Sequence, residues 1–152
     1  MAVRVQAEPF DLNHEVASLT AGRKDVGAIV TFTGKVRSSA DGSPLVAMTL
    51  EHYPGMTEAE LARVEAEARA RWPLHDCVIV HRHGRLLPGE DIVLVVTTSA
   101  HRQAAFSAAE FLMDYLKTGA PFWKREELAD GTAAWVEAKT SDDEATGRWS
   151  GR

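Results

Sequence analysis

Lys117 and Lys124 flank a tight Gly-Ala-Pro turn in the segment KTGAPFWKRE. Such a turn returns the chain within a few residues, so both side chains can face one pocket. Ammonium groups held close together disfavour each other's charge, which suits one of them to act as a general base or nucleophile. If PFWKREE is a strand, alternation sets Phe122, Lys124 and Glu126 on one face and Trp123 and Arg125 on the other. Lys124 then has an apolar neighbour on its own side.

A second cationic pair opens a helix. SAHRQAAF puts His101 and Arg102 in a first turn, where free backbone N–H groups already form a positive pole and each cation costs about 0.3–1 kcal/mol. The arrangement becomes favourable when an anion such as phosphate binds there. A third group, Lys35-Val36-Arg37, closes TFTGKVR as it enters a Ser/Asp/Gly turn, where charges also protect an exposed strand end. His81 and His83 in HRHGR share a strand face, yet no carboxylate or thiol stands with them at a metal-binding spacing, so no metal site is expected. GxSxG, P-loop and GxGxxG signatures are all missing from the sequence.

Bulk properties narrow the classes further. A chain of 152 residues, 45% apolar, is the size of one globular domain with a real core. Its 17 basic against 22 acidic residues leave a net charge of −5, which argues against non-specific nucleic-acid binding. Cys77 has no second thiol to pair with, which excludes an internal disulfide and multi-cysteine metal sites; it reads as a small core residue in a reduced, cytoplasmic protein. The longest apolar run, Ile92 to Val96, is far short of the roughly 20 residues that span a bilayer. The start MAVRVQAEPFD lacks a signal-peptide core, so a soluble protein without membrane partners is expected.

These residues need a scaffold, and the patterning supplies a mixed α+β order. Ala2 to Gln6 reads as a strand, followed by a helix from the N-cap Asp11 to Gly22. Val26 to Val36 and Pro44 to Tyr53 read as strands on either side of SSADGSP, together a long hairpin. Thr57 and Glu60 have capping-box spacing before a helix that runs to Pro73. Two strands, Cys77 to Arg82 and Asp91 to Thr98, precede a long apolar helix capped by Ser99 and stopped at Gly119. PFWKREEL and TAAWVEA form a last strand pair, and residues 140–152 are polar enough for a tail or a partner-ordered arm of the single domain.

Five segments in order, TFTGKVR, TLEHYPGM, TSAHR, MDYLKTGAPFWKRE and WVEAK, resemble the large, catalytic-subunit family of molybdopterin synthase, the MoaE family. The resemblance covers about residues 9–149. It implies an α/β-hammerhead with an additional small antiparallel sheet. The chemistry it implies is sulfur insertion into cyclic pyranopterin monophosphate (precursor Z) to make the molybdopterin dithiolene, with no permanently bound cofactor. Sulfur would arrive as a thiocarboxylate on the C-terminal Gly-Gly of a small ubiquitin-like subunit. This chain ends WSGR, so that donor is expected to be a separate protein. A homodimer of large subunits within a heterotetramer is implied as well.

Carried onto matching positions, the resemblance assigns Arg37, His101 and Arg102 to the substrate's phosphate and polar pterin edge. Lys117 would stand where the donor tail ends, and Lys124 would stabilise the anion formed as the cyclic phosphate opens. Lys35, Val36, Arg125 and Glu126 would line the same pocket, with Phe32 and Met113 forming an apolar channel for the tail. Lys139 stands where an arginine reaching into the neighbouring subunit is expected; it keeps the charge but loses the bidentate fork. Two other classes compete: a non-catalytic adaptor gripping the tail of a ubiquitin-like protein, and a small phosphate-ester hydrolase, which lacks an evident nucleophile or metal triad.

Overall fold

The computed structural model describes residues 2–136 and 140–150. A first sheet has the order β1-β5-β7-β2, from strands β1 (Ala2–Gln6), β2 (Ala28–Lys35), β5 (Leu74–Arg82) and β7 (Asp91–Ser99). β1 runs parallel to β5, and the other pairings are antiparallel. A second, antiparallel sheet holds β3 (Ser39–Ala40), β4 (Ser43–His52), β8 (Phe122–Leu128) and β9 (Ala133–Val136), with β6 (Gly84–Leu86) also paired to β4. Among the described residues four helices pack around them: α1 (Leu12–Thr20), α2 (Met56–Arg71), α3 (Arg102–Thr118) and α4 (Thr140–Gly147). The architecture is α+β, as the mixed element order and the hammerhead expectation require.

β5 and β7 are buried along nearly their whole length, which is why they read as continuous apolar runs instead of alternating ones. One face of the sheet, with Cys77, Ile79, Val93 and Val95, packs on Leu61, Val64 and Ala68 of α2 and on Phe111 and Leu112 of α3. The opposite face, with Val78, Val80, Leu94 and Val96, is covered by Phe10, Val16 and Leu19 around α1. α1 starts at Asp11, whose carboxylate accepts from the His14 N–H at 3.1 Å, as its N-cap position requires.

The expected hairpin of β2 with β4 does not form. β2 pairs with β7, from Ala28 opposite Ser99 to Gly34 opposite Val93, while β4 pairs with β8. Two local features divert the chain. Val36 is buried among Leu45, Met48, Leu50 and Leu86, its N–H donating to the Glu90 carbonyl at 2.9 Å and its carbonyl accepting from Gly89 at 2.8 Å. Beyond it Asp41 and Gly42 both have positive φ, 48° and 82°, so a two-residue primed turn closes β4 on the short β3 instead.

Two caps also differ from expectation. α2 opens at Gly55, whose N–H donates to Glu58 Oε2 at 3.3 Å. Thr57 lies inside the first turn, fully buried, with other work to do. Ser99 ends β7, its hydroxyl donating to the Pro73 carbonyl at 2.7 Å, and the N-cap of α3 is His101, without a side-chain cap bond.

The polar segment from residue 140 forms α4, and the chain beyond it is fastened to α3. Trp149, 8% exposed, inserts edge-on between Trp72 and Phe111, with centroids 5.5 Å from each. Its indole N–H donates to Asp114 Oδ2 at 2.6 Å, and Thr146 donates to the Asp114 carbonyl at 2.8 Å. Asp114 of α3 therefore ties down the segment that follows it by more than thirty residues.

Candidate active site

Where the two sheets meet the C-terminal end of α3 they enclose a cavity of about 490 Å³, a usual size for a small-molecule site. β2 contributes Phe32 and Gly34 to its wall, α3 contributes Met113, Leu116 and Lys117, and β8 contributes Phe122 and Lys124. Lys35 and Arg37 stand on the wall where β2 ends, and His81 closes it from β5.

Lys35, Lys117 and Lys124 are each positioned by an identifiable local device. At Gly34 an added Cβ would lie 2.8 Å from Val93 Cγ1, so only glycine lets β2 pass this close to β7. The register shifts between Gly34 and Lys35, and such a bulge re-aims the next side chain. Lys35 Nζ lies 2.6 Å from Asp91 Oδ1.

Lys117 occupies the last turn of α3, where a cation agrees with the helix dipole. Gly119 caps that turn by donating to the Tyr115 carbonyl at 2.7 Å. The buried Thr57 hydroxyl accepts from the Tyr53 N–H at 2.9 Å and donates to the Pro121 carbonyl at 3.0 Å, which fixes the return of the chain into β8. Strand alternation then carries Phe122 and Lys124 inward. The cavity is thus cationic on one side and apolar on the other. Among the described residues no carboxylate pairs with Arg37 or Lys124, and no three His, Cys, Asp or Glu side chains gather closely enough to hold a metal ion.

A family model described as MoaE protein matches residues 5–119. The chain belongs to the MoaE family. Among MoaE relatives, the molybdopterin synthase catalytic subunit of Mesorhizobium japonicum is 57% identical over 148 residues, 97% of this chain and 92% of that one. The MoaE protein from Burkholderia ambifaria MC40-6 superposes with a TM-score of 0.81 at 51% identity, covering 99% of both chains. The crystal structure of molybdopterin synthase from Staphylococcus aureus superposes with a TM-score of 0.80 at 32% identity, over 88% of this chain and 95% of that one.

In this MoaE chain the cavity gathers six of the residues singled out from sequence: Phe32, Lys35, Arg37, Met113, Lys117 and Lys124. Five others lie elsewhere. Val36 is 4% exposed in the core of the second sheet, with both backbone groups engaged, so it is a structural residue and not a wall of the cavity. Arg125 points to the outer face of β8, opposite Thr49 and Trp135, because alternation turns it away from its neighbour Lys124. His101 and Arg102 are exposed at the far end of α3, beside Gln103 and Phe106. Arg102 and Lys117 lie fifteen positions apart in the helix, roughly 22 Å along the axis. Glu126 shares the face of Lys124 but sits beyond the cavity wall, level with Met48 and Ala134. Lys139 falls outside the described residues.

Two wall residues carried a sequence signal that pointed to a different role. Phe122 is legible only as an apolar neighbour of Lys124, and His81 only as one half of an H-x-H strand pattern. Its place in the wall depends on the second sheet, whose Phe122 ring stacks on the imidazole at 3.8 Å.

Proposed function

We propose that this chain is the catalytic subunit of a molybdopterin synthase. It moves sulfur from the C-terminal thiocarboxylate of a small ubiquitin-like subunit onto cyclic pyranopterin monophosphate, forming the dithiolene. One observation carries the assignment: Lys35, Arg37, Lys117 and Lys124 converge on a cavity with Phe32 and Met113 on its apolar side. Both reactants are anionic. Two unit negative charges about 4 Å apart repel by about 4 kcal/mol at an effective dielectric constant of about 20. Fixed cations at the meeting point offset that repulsion without reorganising during the reaction.

Lys117 is assigned to the thiocarboxylate end, where it polarises the acyl group and moves a proton, and Lys124 to the anion released as the cyclic phosphate opens. The apolar side, with Phe32 and Met113, suits an extended Gly-Gly tail. Sulfur arrives on the partner protein, and no permanently bound cofactor or metal is invoked. Cys77 is fully buried and lies outside the cavity wall, which suits a reaction in which this chain lends no sulfur of its own. No helix among the described residues is long and apolar enough to cross a membrane, and the reaction is assigned to the cytoplasm.

His101 and Arg102 enter the same chemistry through a homodimer. A substrate the size of a pterin does not bridge the roughly 22 Å that separate them from Lys117 in one chain. In the proposed heterotetramer each protomer's α3 start faces the other's cavity and supplies the anion-binding cations; Lys139 is assigned the same direction of reach.

The test mixes the chain with thiocarboxylated small subunit and cyclic pyranopterin monophosphate and follows the dithiolene product by mass spectrometry. Wild type is expected to form product, and Lys117→Ala and Lys124→Ala each to lose it by about a hundredfold or more. Tight binding of the small subunit with no product from wild type would leave the tail-gripping adaptor in place of the enzyme.

A further inference from the structure

His81 is buried to 7% exposure and forms part of the cavity wall. Its Nδ1 lies 2.8 Å from the Arg82 carbonyl oxygen. A carbonyl can only accept, so Nδ1 carries the hydrogen. Burial pushes the imidazole down to about 4, and the neighbouring Lys117, His52 and His83 act in the same direction. The ring is therefore neutral at pH 7, and Nε2 holds a bare lone pair. Phe122 stacks on the ring with 21° between planes and fixes its orientation.

The surroundings give that lone pair a purpose. The charged side chains of the cavity, Lys35, Arg37, Lys117 and Lys124, are all cations, and cations only donate. Among the described residues no protein hydrogen bond engages His81 Nε2, and the only other side-chain oxygen or nitrogen acceptor on the wall is the Thr118 hydroxyl, which already bonds Asp114 and Thr146. A site built for anions alone has no use for a fixed neutral acceptor. A fused nitrogen heterocycle does, because its edge presents N–H and O–H donors beside the anionic phosphate.

We propose that His81 is a specificity residue of the substrate pocket, whose Nε2 accepts a hydrogen bond from an N–H or O–H donor on the heterocycle and so sets which edge meets the sulfur donor. This rests on the synthase assignment above. The substrate is favoured over the peptide tail because His81 is buried against Phe122, whereas Phe32, assigned to the tail, is 40% exposed.

The test compares wild type, His81→Phe and His81→Gln in the reconstituted synthase. His81→Phe keeps a flat ring against Phe122 and loses the acceptor; it is expected to raise the KM for cyclic pyranopterin monophosphate about tenfold or more. Affinity for the small subunit should stay at the wild-type value. His81→Gln returns a carbonyl oxygen near the Nε2 position and should recover most of the loss. An unchanged KM in His81→Phe overturns the proposal, and so does a loss confined to small-subunit binding, which would hand the acceptor to the tail. A wild type that makes no product defeats the synthase assignment itself, a distinguishable result. Should His81→Phe fold poorly, nitrogen NMR of the wild-type protein decides. An unprotonated Nε2 whose resonance moves on adding cyclic pyranopterin monophosphate supports the proposal, and a proton on Nε2 at pH 7 or an unmoved resonance overturns it.

Discussion

At its C-terminal end α3 presents Lys117 to the cavity between the sheets, whereas roughly 22 Å away its N-terminal end presents His101 and Arg102 to open solvent. The first end is over-determined. Its cation agrees with the helix dipole, Gly119 caps the last turn, and Asp114 binds Thr146, Arg148 and Trp149 around it. At the other end the Arg102 cation opposes the dipole, no side chain caps the helix, and Phe106 is 61% exposed nearby. Charges that suit their own chain are explained by it. Those that strain it are better explained by something the chain binds.

Subunit mixing breaks the comparison most sharply. Arg102→Ala and Lys117→Ala, each alone, are expected to lose product formation by about a hundredfold or more. Mixed and allowed to exchange, they should recover about a quarter of wild-type activity, since half the dimers then hold one intact site. No recovery would mean that the two ends of α3 serve separate sites. Next in size, Trp149→Ala should cost about 3–5 kcal/mol by urea unfolding, because it empties a ring-lined core position and frees Asp114.

A smaller effect follows from His81. Its folded-state value near 4 lies below the ordinary 6.5, so between those limits the unfolded chain binds a proton that the folded chain refuses. Stability should fall as pH drops from 6.5 to 4, by up to about 3 kcal/mol, and level off below. His81→Phe should lack that part of the slope in urea titrations across the window. Smallest of all, Arg102→Glu should raise stability by about 0.3–1 kcal/mol while abolishing activity, because a carboxylate suits the helix start and repels an anionic substrate.

Much of this was legible before any coordinates. Helical periodicity located α2 and α3, the Gly-Ala-Pro turn brought Lys117 and Lys124 to one cavity, and alternation alone turned Arg125 away from Lys124. What stayed hidden depended on contacts distant in sequence. β2 finds its partner in β7 because the chain changes sheets at Val36, a choice made by the core around Leu45 and Leu86 and not by the turn residues. His81 gains its role from Phe122, forty-one residues later. The polar composition after residue 140 concealed that one tryptophan is enough to anchor the segment.

Cys77 sits at the centre of the first sheet's core, fully buried, with burial and the nearby Glu65 carboxylate pushing its thiol up to about 12. A protein that manages reactive sulfur on behalf of others runs the risk of capturing it, as a mixed disulfide or an acyl thioester on its own side chain. Here the chain's single thiol is protonated and walled off from every reactant. The cargo has only one address at which it can be delivered.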